Sequence, residues 1–238
     1  MLGLLVNSSV VVVGGILGTV LGDAIPRRVK EAMPLTCGII AIGIGATMLN
    51  KANAIPAIAL ALLVGALIGE LLFLERGLEL AIAWFQKCAK RRWPSDCGTP
   101  QAENFGIKFA TLLVLFCASS MGIFGSMHEG MTGNANVLLA KAMLDLFIAT
   151  IFATELGFSV ALIAVPQVVI QGLFYFSAYL LLPLASPTML ADFSACGGII
   201  MLATGLRICG IKIFPIVNML PALLLIMPCS ALWSTLFG

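Results

Sequence analysis

The first apolar run of the chain reads LGLLVNSSVVVVGGILGTVLG, from Leu2 to Gly22, and it contains no charged residue. About 20 apolar residues in a helix cross the roughly 30 Å hydrocarbon core of a bilayer, so the run predicts a membrane-spanning helix. No basic residue precedes it and no clear cleavage site follows it, which argues against a removable signal peptide. We expect the segment to remain as the first span.

Apolar runs of this kind recur along the whole chain and predict about eight spans of an all-α polytopic membrane protein. The predicted spans are 2–22, 35–50, 54–74, 107–126, 136–155, 157–182, 194–210 and 213–236. The second and the seventh are short for helices that cross a membrane. Residues 75–106 hold the longest polar stretch and are predicted to form a cytoplasmic connector within a single transmembrane domain, 1–238.

Composition supports the same class of protein. Hydrophobic residues make up 61% of the chain and charged residues 10%, against about 45–50% and about 25% in soluble domains. A net charge of +2 spread this thinly provides no nucleic-acid-binding surface. The sequence lacks the H-E-x-x-H, G-x-S-x-G and G-x-x-x-x-G-K-[ST] motifs, so we expect neither an enzyme nor a resident cofactor.

The distribution of lysine and arginine predicts the orientation, because cytoplasmic loops carry the excess of these residues. The loops after the first, third and seventh spans fall on one face and hold Arg27, Arg28, Lys30, Lys87, Lys90, Arg91, Arg92, Arg207 and Lys212. The opposite face has only Lys51, His128–Glu129 and Asp192. We therefore expect basic loops in the cytoplasm and both termini in the periplasm of a bacterial inner-membrane protein.

The first three and the last three predicted spans show a weak internal repeat, which covers 1–74 and 157–238. Setting Gly38-Ile-Ile over Gly198-Ile-Ile also pairs Gly45 with Gly205. Two central spans separate the three-span blocks, so the second block would cross the membrane in the opposite direction. Inverted repeats around a midplane site are typical of secondary transporters. Identity this sparse among apolar residues is also compatible with chance.

The central spans that separate the two blocks lie in residues 107–155. Short, glycine-interrupted segments at matching positions of two repeats indicate a transport site. The second and seventh spans supply such segments, with Gly38, Gly45, Gly198 and Gly205. The alternative interpretation is close helix packing through small residues.

Glycine and alanine also recur at four-residue spacing in the first span and the third. The positions are Gly14, Gly18 and Gly22, and then Ala61, Gly65 and Gly69. Such smooth faces allow backbones to approach closely, either within one chain or between the subunits of a homo-oligomer.

Lys141 and Asp145 stand out among the ionisable residues inside the predicted spans. Residues four apart share one face of a helix, so the two side chains can form an ion pair. A charge within a span is costly and therefore indicates function by default. An aspartate that exchanges its proton or its cationic partner would suit ion-coupled transport. The alternative is a structural pair that locks the spans together.

Weaker candidates complete the predicted solute or ion site. Gln167 and Gln171 share a face just past Pro166, where a kink would free carbonyl groups that coordinate a cation. Glu129 lies at the outer end of the fourth span, just past its predicted limit, and its neighbour His128 lacks a second histidine or cysteine spaced to form a metal site. Two further candidates are Arg207, close to the glycine-rich segment, and Asn218, near a predicted helix break at Pro221.

Several stretches resemble one family of bacterial inner-membrane proteins. They are MGIFGSMHEGMTG (121–133), KAMLD (141–145), DFSACGG (192–198), ATGLRICGIK (203–212) and NMLPA (218–222). The chain is similar across nearly its whole length to the family typified by YqgA, the domain of unknown function DUF554. The resemblance implies a polytopic protein of the bacterial cytoplasmic membrane, and it implies no substrate and no catalytic residue.

These observations favour a small secondary transporter or ion-coupled permease, whose partners are the lipid bilayer and an unknown small solute or ion. The alternative is a non-transporting membrane scaffold or sensor module, for which the glycine faces alone would suffice.

Overall fold

The computed structural model describes residues 1–77, 80, 84, 105, 108, 109, 112, 113, 115–117 and 119–237. Their regular structure is helical, with no strand among them. The α-helices whose bounds are defined there are α1 Leu2–Leu21, α2 Arg27–Leu49, α3 Ile55–Leu71, α4 Ser120–Thr132, α5 Asn136–Leu156, α6 Ala164–Leu181, α7 Pro187–Ile208, α8 Ile216–Met219 and α9 Ala222–Phe237.

Five helical segments in this part of the chain are long and apolar enough to cross a membrane, namely Leu2–Leu21, Arg28–Leu49, Asn136–Leu180, Pro187–Ile208 and Ile216–Leu236. The third of them has 45 residues and comprises α5 and all but the last residue of α6, which are joined by a 3-10 helix. Ile55–Leu71 is a shorter apolar helix. Most of the predicted connector and much of the predicted fourth span lie outside the described residues, so the count of eight stays a prediction.

The prediction that the second and seventh spans are short and interrupted is wrong. The helices α2 and α7 are continuous and contain 23 and 22 residues. Their glycines sit inside regular helix, so no backbone amide is freed there. Hydropathy indicated where the apolar residues begin, whereas each helix starts earlier. Helix α2 starts at the polar Arg27. Helix α7 starts after Ser186, whose hydroxyl accepts a hydrogen bond from the Met189 amide and so caps the helix.

Three other predicted boundaries also shift. Ser119 has extended backbone and α4 starts at Ser120, so the predicted fourth span contains a non-helical residue. Pro166 lies in the first turn of α6, where a missing amide costs nothing, and the irregular backbone precedes it at Gly157–Ile163. The predicted break near Asn218 and Pro221 is confirmed, because α8 ends at Met219 and α9 begins at Ala222.

Helices α2 and α7 pack antiparallel through their glycines. A methyl group on Gly45 would lie 2.6 Å from the carbonyl oxygen of Gly198, and one on Gly205 would lie 2.6 Å from that of Gly38. Both distances are too short for a real contact, so the backbones touch where any side chain would separate them. The four glycines therefore form two reciprocal contacts, Gly38 with Gly205 and Gly45 with Gly198.

The other two small-residue faces also meet partners within the chain. Helix α1 runs parallel to α5, since Gly3 faces Leu138 and Gly14 faces Ala149. Helix α3 runs antiparallel to the α8–α9 segment, because Gly65 faces Ala222 and Gly69 faces Asn218. Close backbone approach of this kind is the usual way in which membrane helices associate.

The outward faces of the helices are apolar. Val20, Leu63 and Leu180 are 79%, 72% and 75% exposed, and many other large hydrophobic residues are similarly uncovered. Soluble monomers rarely expose apolar surface on this scale, so the surface matches lipid and not water.

Candidate functional site

A buried ion pair lies at the centre of α5. Asp145 is the tenth of the helix's 21 residues, and its carboxylate accepts a hydrogen bond from the Lys141 ammonium one turn earlier. Lys141 is 2% exposed and Asp145 is 6% exposed. The ammonium also lies 5.6 Å from the centre of the Phe116 ring. The predicted pairing of these residues is therefore present, in a setting where an unpaired charge would be strongly unfavourable.

Three amide side chains from two other helices surround the pair. Gln167 of α6 donates from Nε2 to Asp145 Oδ2 at 3.2 Å. Asn7 of α1 donates from Nδ2 to Gln171 Oε1 at 3.3 Å, and its amide also approaches the Asp145 carboxylate. Each of the three is at most 1% exposed. We call Asn7, Lys141, Asp145, Gln167 and Gln171 the Asp145 cluster.

The cluster has polar atoms without a partner among the described residues. They are Asn7 Oδ1, Gln167 Oε1 and Gln171 Nε2, and the neighbouring Ser8 Oγ shares this property. An ionised carboxylate only accepts, so Gln167 and Asn7 must turn their amide nitrogens toward Asp145. Their oxygens are then acceptors without a donor inside the same cluster. Unsatisfied buried polar atoms are uncommon in native proteins, and each calls for an explanation such as a bound water molecule or ion.

Glycines allow the helices to come together around these side chains. At Gly18, as at Gly14, a side chain would collide with α5, here at Thr150 and Ala153. On the other side, a methyl group on Gly122 of α4 would lie 2.9 Å from Gln171 Nε2 and 3.0 Å from Lys141 Cε. Gly122 therefore leaves room for both side chains, and a larger residue would push into the cluster.

A second network closes one end of the helix bundle. Asp192 of α7 is fully buried, and its Oδ1 accepts from the backbone amides of Asn53 and Ala54, each at 2.8 Å. Its Oδ2 accepts from Ser230 Oγ of α9 at 2.6 Å. The carboxylate thus caps the N-terminus of α3 and ties three helices together.

A third network closes the opposite end. Glu75 Oε1 accepts from the Arg207 guanidinium at 2.6 Å, and Oε2 accepts from the backbone amide of Val217 at 3.0 Å. The side chain of Asn218 donates to Glu70 and accepts from the Glu75 amide at 2.7 Å. Here a carboxylate caps the start of α8, as Asp192 caps α3 at the other end.

Glu129 belongs to the Asp192 end of the bundle and not to the Asp145 cluster. Its Oε1 accepts from the amino group of Met1 at 2.8 Å and from the Gly3 amide at 3.0 Å. Its Oε2 is buried without a partner in the described structure. The nearby ring of Phe124 stacks at an angle on His128 and on Phe193, with centroids 5.6 Å and 5.5 Å apart, and so connects this region to α7.

The structure brings together only some of the residues predicted to form one site. Asp145, Lys141 and Gln167 are in mutual reach, whereas Arg207 and Asn218 lie in the Glu75 network. The four predicted glycines lie in the contact between α2 and α7, which favours the packing interpretation of Gly38, Gly45, Gly198 and Gly205. Asn7 and Gly122 were not among the predicted site residues; the only signal for Asn7 was its polarity within an apolar run.

Comparison with known proteins shows the family. A model described as "Protein of unknown function (DUF554)" matches residues 2–231, so the chain belongs to the DUF554 family. It is 47% identical to the "Uncharacterized protein YqgA" of Escherichia coli strain K12, over 100% of this chain and 99% of that protein. It is 25% identical to the "Uncharacterized membrane protein YdfK" of Bacillus subtilis strain 168, over 94% and 93%. No solved structure matches the chain.

Proposed function

We propose that the protein is a small secondary transporter or ion-coupled permease of the bacterial inner membrane. The observation that carries the proposal is the Asp145 cluster, in which a charged pair is buried mid-helix beside unpartnered amide atoms. A purely structural network gains most when every polar atom is satisfied. A transport site instead has unpaired polar atoms, which become hydrogen-bond partners or ligands of the bound solute or ion.

An inverted repeat is the second part of the proposal, and the directions of the helices support it. Helix α1 begins at the end of the bundle that holds Glu129, since the Gly3 amide donates to that residue. Helix α6 finishes at the same end, because a methyl group on Gly130 of α4 would meet Tyr175 and Ala178. Helices α2 and α7 are antiparallel, and so are α3 and α9. The reciprocal contacts of Gly38 with Gly205 and Gly45 with Gly198 are what an in-plane pseudo-two-fold axis would produce.

The two end networks suit alternating access to a central site. The Asp192 network joins α3, α7 and α9 at one end, and the Glu75 network joins the segments after α3 and α7 at the other. Opening the cluster to one side would require one network to break while the other holds. Each uses a carboxylate that accepts hydrogen bonds from backbone amides near a helix N-terminus, and water would satisfy these amides once the network opened.

The orientation that we propose places the Glu75 end in the cytoplasm and both termini in the periplasm. Basic residues gather at that end, where Lys30 bonds Thr154 at 2.7 Å, Lys108 pairs with Glu155 at 2.6 Å and Arg207 pairs with Glu75. Short cytoplasmic loops are the usual place for such residues. The partners in this proposal are the bilayer and a small solute or ion, without nucleic acid and without a catalysed reaction.

Reconstitution in liposomes tests the proposal. Gradients of protons, alkali cations and a panel of metabolites would be imposed across vesicles that contain wild type, Asp145→Asn or Glu155→Gln. We expect a pH or uptake signal from wild type that Asp145→Asn loses. Glu155 lies on the same helix in an exposed pair, so Glu155→Gln controls for removing a carboxylate without touching the cluster.

A scaffold or sensor module is the second candidate function. The backbone-to-backbone contact of α2 with α7 favours it, because such packing alone stabilises a helical assembly. Equal signals from wild type, Asp145→Asn and empty vesicles across the whole panel would replace the transport proposal with this one.

A further inference from the structure

We infer that the Asp145 cluster is a binding site for a monovalent alkali cation. The Lys141 ammonium competes with this cation for the Asp145 carboxylate, and the competition ends when the ammonium loses a proton. The inference rests on the proposed function and specifies its ion. It would make the protein a cation–proton exchanger, since every cation that binds would release one proton.

The unpartnered oxygen atoms of the cluster belong to amide side chains, and rotation of these amides would turn their oxygens toward a cation that replaces the Lys141 ammonium beside Asp145. Asn7 Oδ1 and Gln167 Oε1 are buried and unpartnered in the described structure, and both belong to amides whose nitrogens already face the carboxylate. Carboxylate and amide oxygens are the ligands of hard cations.

The balance of charges in the Asp145 cluster allows only a monovalent cation. Asp145 is the only carboxylate of the Asp145 cluster, and its negative charge is already balanced by the Lys141 ammonium. A second cation would leave an uncompensated charge inside the bundle, which is strongly unfavourable. The balance is kept if the ammonium gives one proton to water, so that a neutral amine and a carboxylate with its bound cation remain. A divalent ion would restore the excess charge.

The surroundings of Lys141 are suited to holding a neutral amine as well as an ammonium. The ring of Phe116 lies on one side and Gly122 on another. Helices α1 and α6 contribute uncharged amides at this point, Asn7, Gln167 and Gln171, and α4 contributes Gly122. Among the described residues, the titratable groups that face the pair are the thiols of Cys37 on α2 and Cys117. None of these supplies a second fixed charge.

Proton release on cation binding is the direct test. Purified protein in detergent and weak buffer would be titrated with NaCl, LiCl or KCl, with choline chloride as the ionic-strength control, while a pH dye counts released protons. We expect about one proton per bound cation for at least one of the three salts. Linkage then requires the apparent Kd to fall about tenfold for each unit of rising pH.

Variants distinguish the role of Asp145 as a cation ligand from the role of Lys141 as a competitor of the cation. Asp145→Asn should abolish saturable binding. Lys141→Gln should still bind the cation, but with a different dependence of Kd on pH, because any proton released must then come from the Asp145 carboxyl group and not from an ammonium. Glu155→Gln should behave as wild type, because its carboxylate lies in an exposed pair. Thermal stabilisation by the salt gives a second reading of binding should a variant fold poorly.

Two results would overturn the inference. One is the absence of any saturable effect of all three cations on wild type, and the other is binding without proton release. Transport of some other solute in vesicles would leave the proposed function standing after either result. Conversely, cation-coupled proton release without any flux would retain the site and remove the transporter.

Discussion

Asn7 and Gln167 approach the carboxylate of Asp145 from two different helices, and 160 residues separate them in the chain. The same 160 residues separate Gly38 from Gly198 and Gly45 from Gly205. In an inverted repeat these pairs are equivalent positions, so the pseudo-two-fold axis would pass close to Asp145. A ligand there would meet matching amides from both halves of the molecule.

Asn7→Leu and Gln167→Leu should therefore weaken cation binding to a similar degree. Each substitution removes one oxygen ligand, and a lost hydrogen bond or ligand to a charged group is worth about 1.5–3 kcal/mol, so Kd should rise about tenfold or more. The titration with the pH dye measures this. Ser9→Ala is the matched control, since the exposed Ser9 hydroxyl bonds only the Leu5 carbonyl of its own helix. An effect of one leucine variant alone would argue against equivalent halves.

Variants of the Lys141–Asp145 pair should distinguish its effect on thermal stability from its effect on cation binding. Removing one partner, as in Asp145→Leu, leaves a buried ammonium uncompensated, at a cost of about 3–5 kcal/mol. The double variant Lys141→Met with Asp145→Leu should recover most of that loss but show no cation-dependent proton release. Thermal unfolding in detergent and the dye titration give the two readings. A double variant with wild-type transport would make the pair structural only.

The sequence was sufficient for features that lie within one helix and insufficient for contacts between helices. Spacing alone predicted that Lys141 pairs with Asp145 and that Gln167 shares a face with Gln171. The convergence of Asn7 on these residues depends on how α1 packs on α5, which Gly14 and Gly18 allow. Lipid-facing and protein-facing sides of such helices are both apolar, so hydropathy does not reveal which glycine meets which neighbour. For the same reason, hydropathy misjudged the lengths of α2 and α7.

Gly45→Val should destabilise the contact between α2 and α7. The new side chain would meet the Gly198 carbonyl, which is backbone and unable to move aside, so the loss should exceed the roughly 1–3 kcal/mol of ordinary overpacking. The melting temperature in detergent measures the effect. Gly43→Val on the same helix is the control, because nothing lies within 4 Å of a methyl group there. Equal melting temperatures for the two variants would show that α2 and α7 do not pack as described.

Asp192→Ala should destabilise the protein more than Ser230→Ala. The aspartate change leaves the Asn53 and Ala54 amides without their acceptor and removes the partner of Ser230, whereas the serine change removes one hydrogen bond. An unsatisfied buried group such as the Ala54 amide costs about 1–3 kcal/mol. Asp192→Asn should fall between them, because it keeps an oxygen for the amides. Chemical denaturation of the three variants checks this order, and a reversed order would contradict the capping role.

The orientation can be tested by cysteine labelling in intact cells, starting from a variant that lacks the native cysteines. Lys51→Cys lies beside the Asp192 network, and Arg28→Cys lies at the end of the bundle where Lys30 bonds Thr154. Because cytoplasmic loops carry the excess of basic residues, a membrane-impermeant maleimide should label the cysteine at position 51 in intact cells. The cysteine at position 28 should be labelled only after the cells are opened. Both positions are exposed, so a lack of labelling would reflect the membrane and not burial. Labelling at position 28 in intact cells would reverse the orientation, and labelling at both positions would show that α2 does not cross.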